Sequence, residues 1–280
     1  DTIISNNERR KLAQFPEFNK DFIENLDKYL LDQFPFREQL ITLNSFINTR
    51  ILNKIDNNDV YVIDNNIYDK MYPANEKNYI NFTKKVNYIV DNYCGNNQVY
   101  YSIIPDKSYF LEEGKYLKID YNNMFDTINE NIQCNYIDIT DKLAIDDYYR
   151  TDIHWKQEKL FKVVEKIVTS MGKEYKNENY IQNQYKNFYG ASYSKAAINI
   201  EPDVLIYLEN ENFKNIEVKH FEHGEKQIYD TEKLKGVDSY DVFLSGPSSF
   251  IEIENKNISD KSKLIVFRDS FGSSIVPLLT

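Results

Sequence analysis

The chain has 280 residues, 41% hydrophobic and 28% charged, which is enough to bury the core of one large α/β domain and short for two. Its formal net charge of −10 excludes a nucleic-acid surface, which needs clustered Lys and Arg, but leaves neutral or uronic-acid glycans open. No stretch approaches the roughly eighteen apolar residues that a membrane span requires.

In chain order, Phe22, Ile23, Leu26 and Leu30, then Leu40, Ile41, Leu43, Phe46 and Ile47, recur at helical spacing on either side of Pro35. Residues 1–55 are therefore expected to be an N-terminal helical segment, with two helices around Asp32-Gln-Phe-Pro-Phe-Arg37. Residues 60–68 read as a hairpin turning at Asn65-Asn66, and 76–93 as a helix. A strand over 99–104 ends in the turn Pro105-Asp-Lys107, a helical stretch follows near 124–131, and a second strand covers 136–139. Cys94 and Cys134 each precede one of these strands, so parallel pairing would bring both sulfurs to one sheet end. A disulfide and two separate thiols both stay open on this evidence.

Beyond Trp155, the residues Leu160, Val163, Val164, Ile167, Val168 and Met171 form one apolar stripe closed by Gly172, which predicts an amphipathic helix. Strand alternating with helix is the α/β signature, with a parallel central sheet. From 180 to 250 the pattern changes to short strand-like runs (204–208, 216–221, 240–244) between acidic loops, expected to be an insertion or a β-rich flank. The apolar run 264–267 is predicted as a buried strand that ends in Arg268-Asp-Ser-Phe-Gly272, with a helix starting after it. A domain that stops one helix after its last motif is expected to lack a final strand or two. The start at Asp1, with neither Met nor a signal peptide, reads as a mature chain or a fragment.

Two segments can carry chemistry. At the carboxyl end of a strand, Asp269-Ser270 before a helix start suits a nucleophilic serine with backbone N–H groups nearby, although Asp and Ser are also ordinary helix N-caps. In Arg150-Thr-Asp-Ile-His-Trp155, Asp152 and His154 flank one residue, a spacing that lets the carboxylate orient the imidazole while its other nitrogen faces a nucleophile. The bland alternative is that Asp152 or Thr151 caps the following helix. His220 and His223 have no companion Cys or carboxylate cluster and read as structural, so nothing in the sequence asks for a metal.

Together, Tyr148-Tyr-Arg-Thr-Asp-Ile-His-Trp155 and the distant Phe267-Arg-Asp-Ser-Phe-Gly272 resemble the DHHW protein family and the related alginate O-acetyltransferase group, which are SGNH-like. Lesser echoes run almost end to end: Glu8-Arg-Arg-Lys-Leu12 with Pro16, the segment from Asp32 to Arg37, Ile104-Pro-Asp-Lys107, Tyr189-Gly-Ala-Ser-Tyr-Ser194 with Pro202-Asp203, and Phe243-Leu-Ser-Gly246. Ile153 stands where the namesake pattern has His, a position that varies among the related acetyltransferases.

The resemblance implies an SGNH-hydrolase-like three-layer fold in one catalytic domain over 1–280. It implies Ser270 as acyl-accepting nucleophile, His154 as its general base and Asp152 as the group orienting His154. SGNH enzymes add oxyanion donors from an Asn and a Gly on separate loops. The matching stretch, Ser245-Gly-Pro-Ser248, offers Gly246 but no Asn, and Pro247 has no N–H. Arg150 and Arg268 either steer an acidic sugar or pair with Asp147 and Asp269.

The implied activity is transfer of an acetyl group through a serine ester to a hydroxyl of a cell-surface polysaccharide or exopolysaccharide, without metal or cofactor. The implied setting is extracytoplasmic, with an anchor preceding Asp1 and a membrane-bound O-acyltransferase as partner. An esterase with the same triad, or a non-catalytic glycan-binding or scaffold protein on the same fold, are the alternatives.

Overall fold

The computed structural model describes residues 14–176, 178–258 and 262–280. The Glu8 to Leu12 echo lies outside the described residues. Two helices open the chain, α1 (Phe22–Asp32) and α2 (Arg37–Phe46), the second continued by a π-helical turn over Ile47–Ile51. They part at Pro35, whose ring cannot continue a helix, and Phe36 takes the left-handed φ of 56° that redirects the chain.

A three-stranded antiparallel sheet follows, β1 (Asp56–Asn57), β2 (Val60–Ile63) and β3 (Asn66–Asp69). Ile63 faces Asn66, so the turn is Asp64-Asn65, one residue earlier than the sequence suggested. Both turn residues need positive φ (47° and 64°), and Asp tolerates this region as Asn does.

After α3 (Glu76–Ile89), β4 (Tyr100–Tyr101) pairs in parallel with β5 (Asn135–Tyr136), and α4 (Tyr121–Asn131) lies between them in sequence. Cys94 and Cys134, ahead of these strands, are half-buried thiols without a bridge. The predicted amphipathic stripe becomes α5 (Phe161–Ser170). Leu160, Val163 and Val164 are buried against Ile137, Ile139, Trp155 and Ile275, each contributing about 1.5–3 kcal/mol. This cluster matters for the site, because Trp155 directly follows His154 and Ile275 lies in the short helix after Ser270.

The rest is mostly antiparallel. β6 (Ile181–Phe188) pairs with β7 (Asp203–Glu209), and the short helix α6 (Ala191–Ala196) fills their connection. β8 (Ile216–His220) lies between β9 (Gly224–Lys226) and β10 (Ile251–Asn255). A second core gathers Tyr149, Phe188, Leu205, Val218, Tyr240 and Phe243.

Three expectations need correction. The parallel central sheet is present only as the β4–β5 pair, and the other pairings among the described residues are antiparallel. The run 264–267 forms no strand, and Leu264, Ile265, Val266 and Phe267 are 53%, 79%, 44% and 77% exposed. A buried parallel strand needs hydrogen-bonded neighbours and cover on both faces, and neither β4 nor β5 pairs with this run. Residues 240–244 are not a strand either. Asp238 accepts the Tyr240 N–H at 2.9 Å and starts a 3-10 turn over Ser239–Val242, leaving only an isolated bridge between Tyr229 and Phe243.

Candidate active site

The Asp-x-His segment is the tip of a tight reversal. Tyr148 bridges Trp155, the Tyr149 N–H donates to the His154 carbonyl at 3.1 Å, and the Lys156 N–H donates to the Asp147 carbonyl at 2.7 Å. Tyr148, Tyr149 and Trp155 are all about fully buried, so the aromatic run of the sequence pins both arms of the reversal while Asp152 and His154 project from its tip.

At that tip, the Asp152 Oδ1 accepts the His154 backbone N–H at 2.9 Å and stands 2.5 Å from the His154 Nδ1. Its Oδ2 accepts the Ala191 N–H at 2.8 Å. Burial by itself would raise the Asp152 carboxyl, but the bonds and charge of His154 and the two backbone N–H groups outweigh it and hold the carboxyl below its ordinary value. An ionised carboxylate at Nδ1 requires the proton there, which leaves Nε2 as an acceptor. His154 Nε2 lies 2.7 Å from the Ser270 Oγ. The helix-capping alternative fails because Asp152 bonds His154 and Ala191, and the Thr151 Oγ1 donates to Asp203 at 2.7 Å.

Ser270 sits on an exposed turn. Asp269 shapes it: its Oδ1 accepts the Phe271 N–H at 3.0 Å and its carbonyl accepts the Gly272 N–H at 3.2 Å. A Cβ on Gly272 would meet the Arg268 Cδ at 2.5 Å, so only glycine lets the Arg268 side chain fold over the turn. The Trp155 Nε1 donates to the Phe271 carbonyl at 3.0 Å and to the Ser274 Oγ at 2.9 Å, which ties the histidine arm to the Ser270 turn.

Three of the lesser echoes converge on the same tip. The buried Lys107 ammonium donates to the carbonyls of Tyr149 (2.9 Å) and Arg150 (3.2 Å), and burial pushes it down to about 8 against the pull of Asp152, Asp203 and Asp69. Asp203 accepts the backbone N–H groups of Arg150 (3.0 Å) and Thr151 (2.8 Å). Gly190 and Ala191 seat the Asp152 carboxylate from the other side. Tyr240 lies flat on the His154 imidazole, with ring centroids 3.8 Å apart and planes 7° apart. The sequence marked Lys107, Gly190 and Asp203 only as echoes without a role, and gave no signal for Tyr240 beyond its membership of an apolar run.

The remaining candidates are engaged elsewhere. The Gly246 N–H donates to the Phe243 carbonyl at 3.2 Å, in a turn where Leu244, Ser245 and Gly246 all have positive φ. Arg150 reaches Asp203 (3.4 Å) and the Pro202 carbonyl (2.6 Å) rather than Asp147. Arg268 bonds the Asp269 carbonyl (3.0 Å) and the Ser273 Oγ (2.9 Å) rather than the Asp269 carboxylate. His220 is buried and its Nε2 donates to the Leu244 carbonyl at 2.8 Å. Among the described residues, no group of three or more His, Cys, Asp and Glu is placed to hold a metal ion, and no helix is long and apolar enough to cross a membrane.

A carboxylate, an imidazole and a serine hydroxyl stand in hydrogen-bonded series on a mixed α/β scaffold of small sheets. The chain belongs to the DHHW protein family, whose model matches residues 53–280. Among solved structures it is similar to a DHHW family protein from Eubacterium siraeum (18% identity, 80% of this chain and 79% of that one, TM-score 0.61). It is also similar to PatB1 of Bacillus cereus with a sulfonyl adduct (19% identity, 79% and 82%, TM-score 0.61). The O-acetyltransferase domain of Pseudomonas putida AlgJ matches more distantly (13% identity, 54% and 64%, TM-score 0.38). No curated protein matches the chain.

Proposed function

We propose that this chain is an extracytoplasmic, SGNH-like serine O-acetyltransferase that moves an acetyl group through Ser270 to a hydroxyl of a surface polysaccharide or exopolysaccharide. The observation that carries the reading is His154, whose two ring nitrogens lie within hydrogen-bond reach of Asp152 and Ser270. The motif resemblance to the alginate O-acetyltransferase group supplies the acetyl chemistry and the glycan acceptor. A membrane-bound O-acyltransferase as acetyl source belongs to the same reading.

In the first half-reaction, the Ser270 Oγ–H gives its proton to the His154 Nε2 as the oxygen bonds the donor's carbonyl carbon. The tetrahedral oxyanion collapses, and the leaving group departs with the proton from Nε2. In the second, a sugar hydroxyl loses its proton to Nε2 while attacking the acetyl-serine, and the proton returns to the Oγ as the ester breaks. Asp152 stays ionised throughout and balances the imidazolium. Since the N–H groups of Gly246, Phe271 and Gly272 serve turns, Ser270's own backbone N–H is the oxyanion donor this reading favours.

The open position of Ser270 favours one second reading, an acetylesterase in which water replaces the sugar. The two separate in one assay: p-nitrophenyl acetate with and without glycan oligomers, followed by mass spectrometry of the sugars. Acetyl on the oligomer supports transfer. Acetate alone, at a rate that no acceptor changes, supports the esterase.

A further inference from the structure

Tyr240 makes two contacts that nothing in the Asp-His-Ser relay itself requires. Its ring stacks on the His154 imidazole at 3.8 Å with planes only 7° apart, and its hydroxyl donates to the Ser274 Oγ at 2.8 Å. Tyr240 is 3% exposed, wedged at inclined angles against Phe243 (4.9 Å) and Tyr149 (6.5 Å), so the ring has no room to turn. Ser274 is the meeting point of the site: besides the Tyr240 hydroxyl it accepts the Trp155 Nε1, and it donates to the Phe271 carbonyl at 3.3 Å. Phe271, adjacent to Ser270, touches the same imidazole at 4.9 Å and 57°.

We infer that Tyr240 is a positioning residue for the general base, its flat ring setting the plane of His154. The inference rests on the proposed role of His154. Its physical basis is rotational. The hydrogen bond between Asp152 and Nδ1 restrains rotation about Cβ–Cγ only elastically, and a small swing takes Nε2 out of line with the Oγ. A flat aromatic face at van der Waals distance removes that freedom before substrate arrives, so the rotational cost is not met in the transition state.

The test uses Tyr240→Phe, which keeps the ring and loses the hydroxyl, with Tyr240→Leu and Tyr240→Met, which fill similar space without a flat face. Turnover of p-nitrophenyl acetate and the rate at which phenylmethanesulfonyl fluoride modifies Ser270 are both read. The expected result is a fall of about thirtyfold or more in kcat and in sulfonylation for Leu and Met, KM within about twofold, and Phe within about threefold of wild type. Equal sulfonylation of the wild type and a folded Leu or Met variant overturns the inference and leaves the His154 reading standing, as does a Phe variant as slow as Leu. A wild type that is never modified at Ser270 overturns both.

Discussion

A Cβ built on Gly190 would lie 2.2 Å from the Cβ of Asp152 and 2.3 Å from its Oδ2. The glycine is required by space, since its φ of −81° suits any residue. Asp152 must press that closely because its Oδ2 takes the Ala191 N–H. Gly190→Ala is therefore expected to displace the carboxylate, costing about 1–3 kcal/mol of stability by overpacking. Ester turnover should fall by at least about tenfold in the variant that remains folded. Thermal unfolding and kcat measured on the same preparation check this.

Replacing Asp152 with Asn keeps the shape and removes the charge. The Asp152 carboxylate enforces the proton on Nδ1, so Asp152→Asn permits the wrong tautomer and leaves the imidazolium without its counter-charge. A fall of about 10³- to 10⁴-fold in kcat is expected, with KM nearly unchanged. Steady-state kinetics with p-nitrophenyl acetate measure it, and a loss below about tenfold would remove Asp152 from the relay.

Lys107 gives the fold a pH signature. Its folded-state value is lowered to about 8 by burial, against 10.5 in the unfolded chain. Below about 8 both states hold the proton. Between there and 10.5 the unfolded chain binds a proton that the folded chain has released, so this group makes stability rise with pH in that window. Urea unfolding at stepped pH should show a Lys107→Met stability deficit that grows as the pH rises from about 8 towards 10.5, because only the wild type gains from this group there, on the background of the other titrating groups. Near neutrality Lys107→Met should be destabilised through the carbonyls of Tyr149 and Arg150, which lose their buried donor.

The exposed run 264–267 makes a fourth prediction. With Ile265 79% exposed, Ile265→Lys should change stability by less than about 0.5 kcal/mol. A loss of about 2 kcal/mol or more in denaturant unfolding would mean that the run is buried in solution, as its composition suggested.

What was legible in the sequence was local. Leu160, Val163 and Val164 announce their helix by period alone, and Asp152 and His154 announce their contact by flanking one residue. The serine turn was visible from Asp269 to Gly272. Register and burial were less visible. Placing the hairpin turn at Asp64-Asn65 depended on which of three adjacent Asp and Asn residues took positive φ. The 264–267 run read as a buried strand because an apolar run carries no record of whether neighbours cover it. The second layer of the site was hidden for the same reason. Lys107 and Asp203 reach residues 149–151, and Gly190 and Tyr240 reach Asp152 and His154, all from distant parts of the chain, and no periodicity reports a contact of that range.

The most direct test of the account is rapid quench of the chain with p-nitrophenyl acetate, followed by peptide mass mapping, in wild type, His154→Gln and Ser270→Ala. One acetyl group is expected on Ser270 in the wild type, forming at least about a hundredfold more slowly in His154→Gln and never in Ser270→Ala. Acetyl on another residue, or equal acetylation of Ser270 without His154, would contradict it.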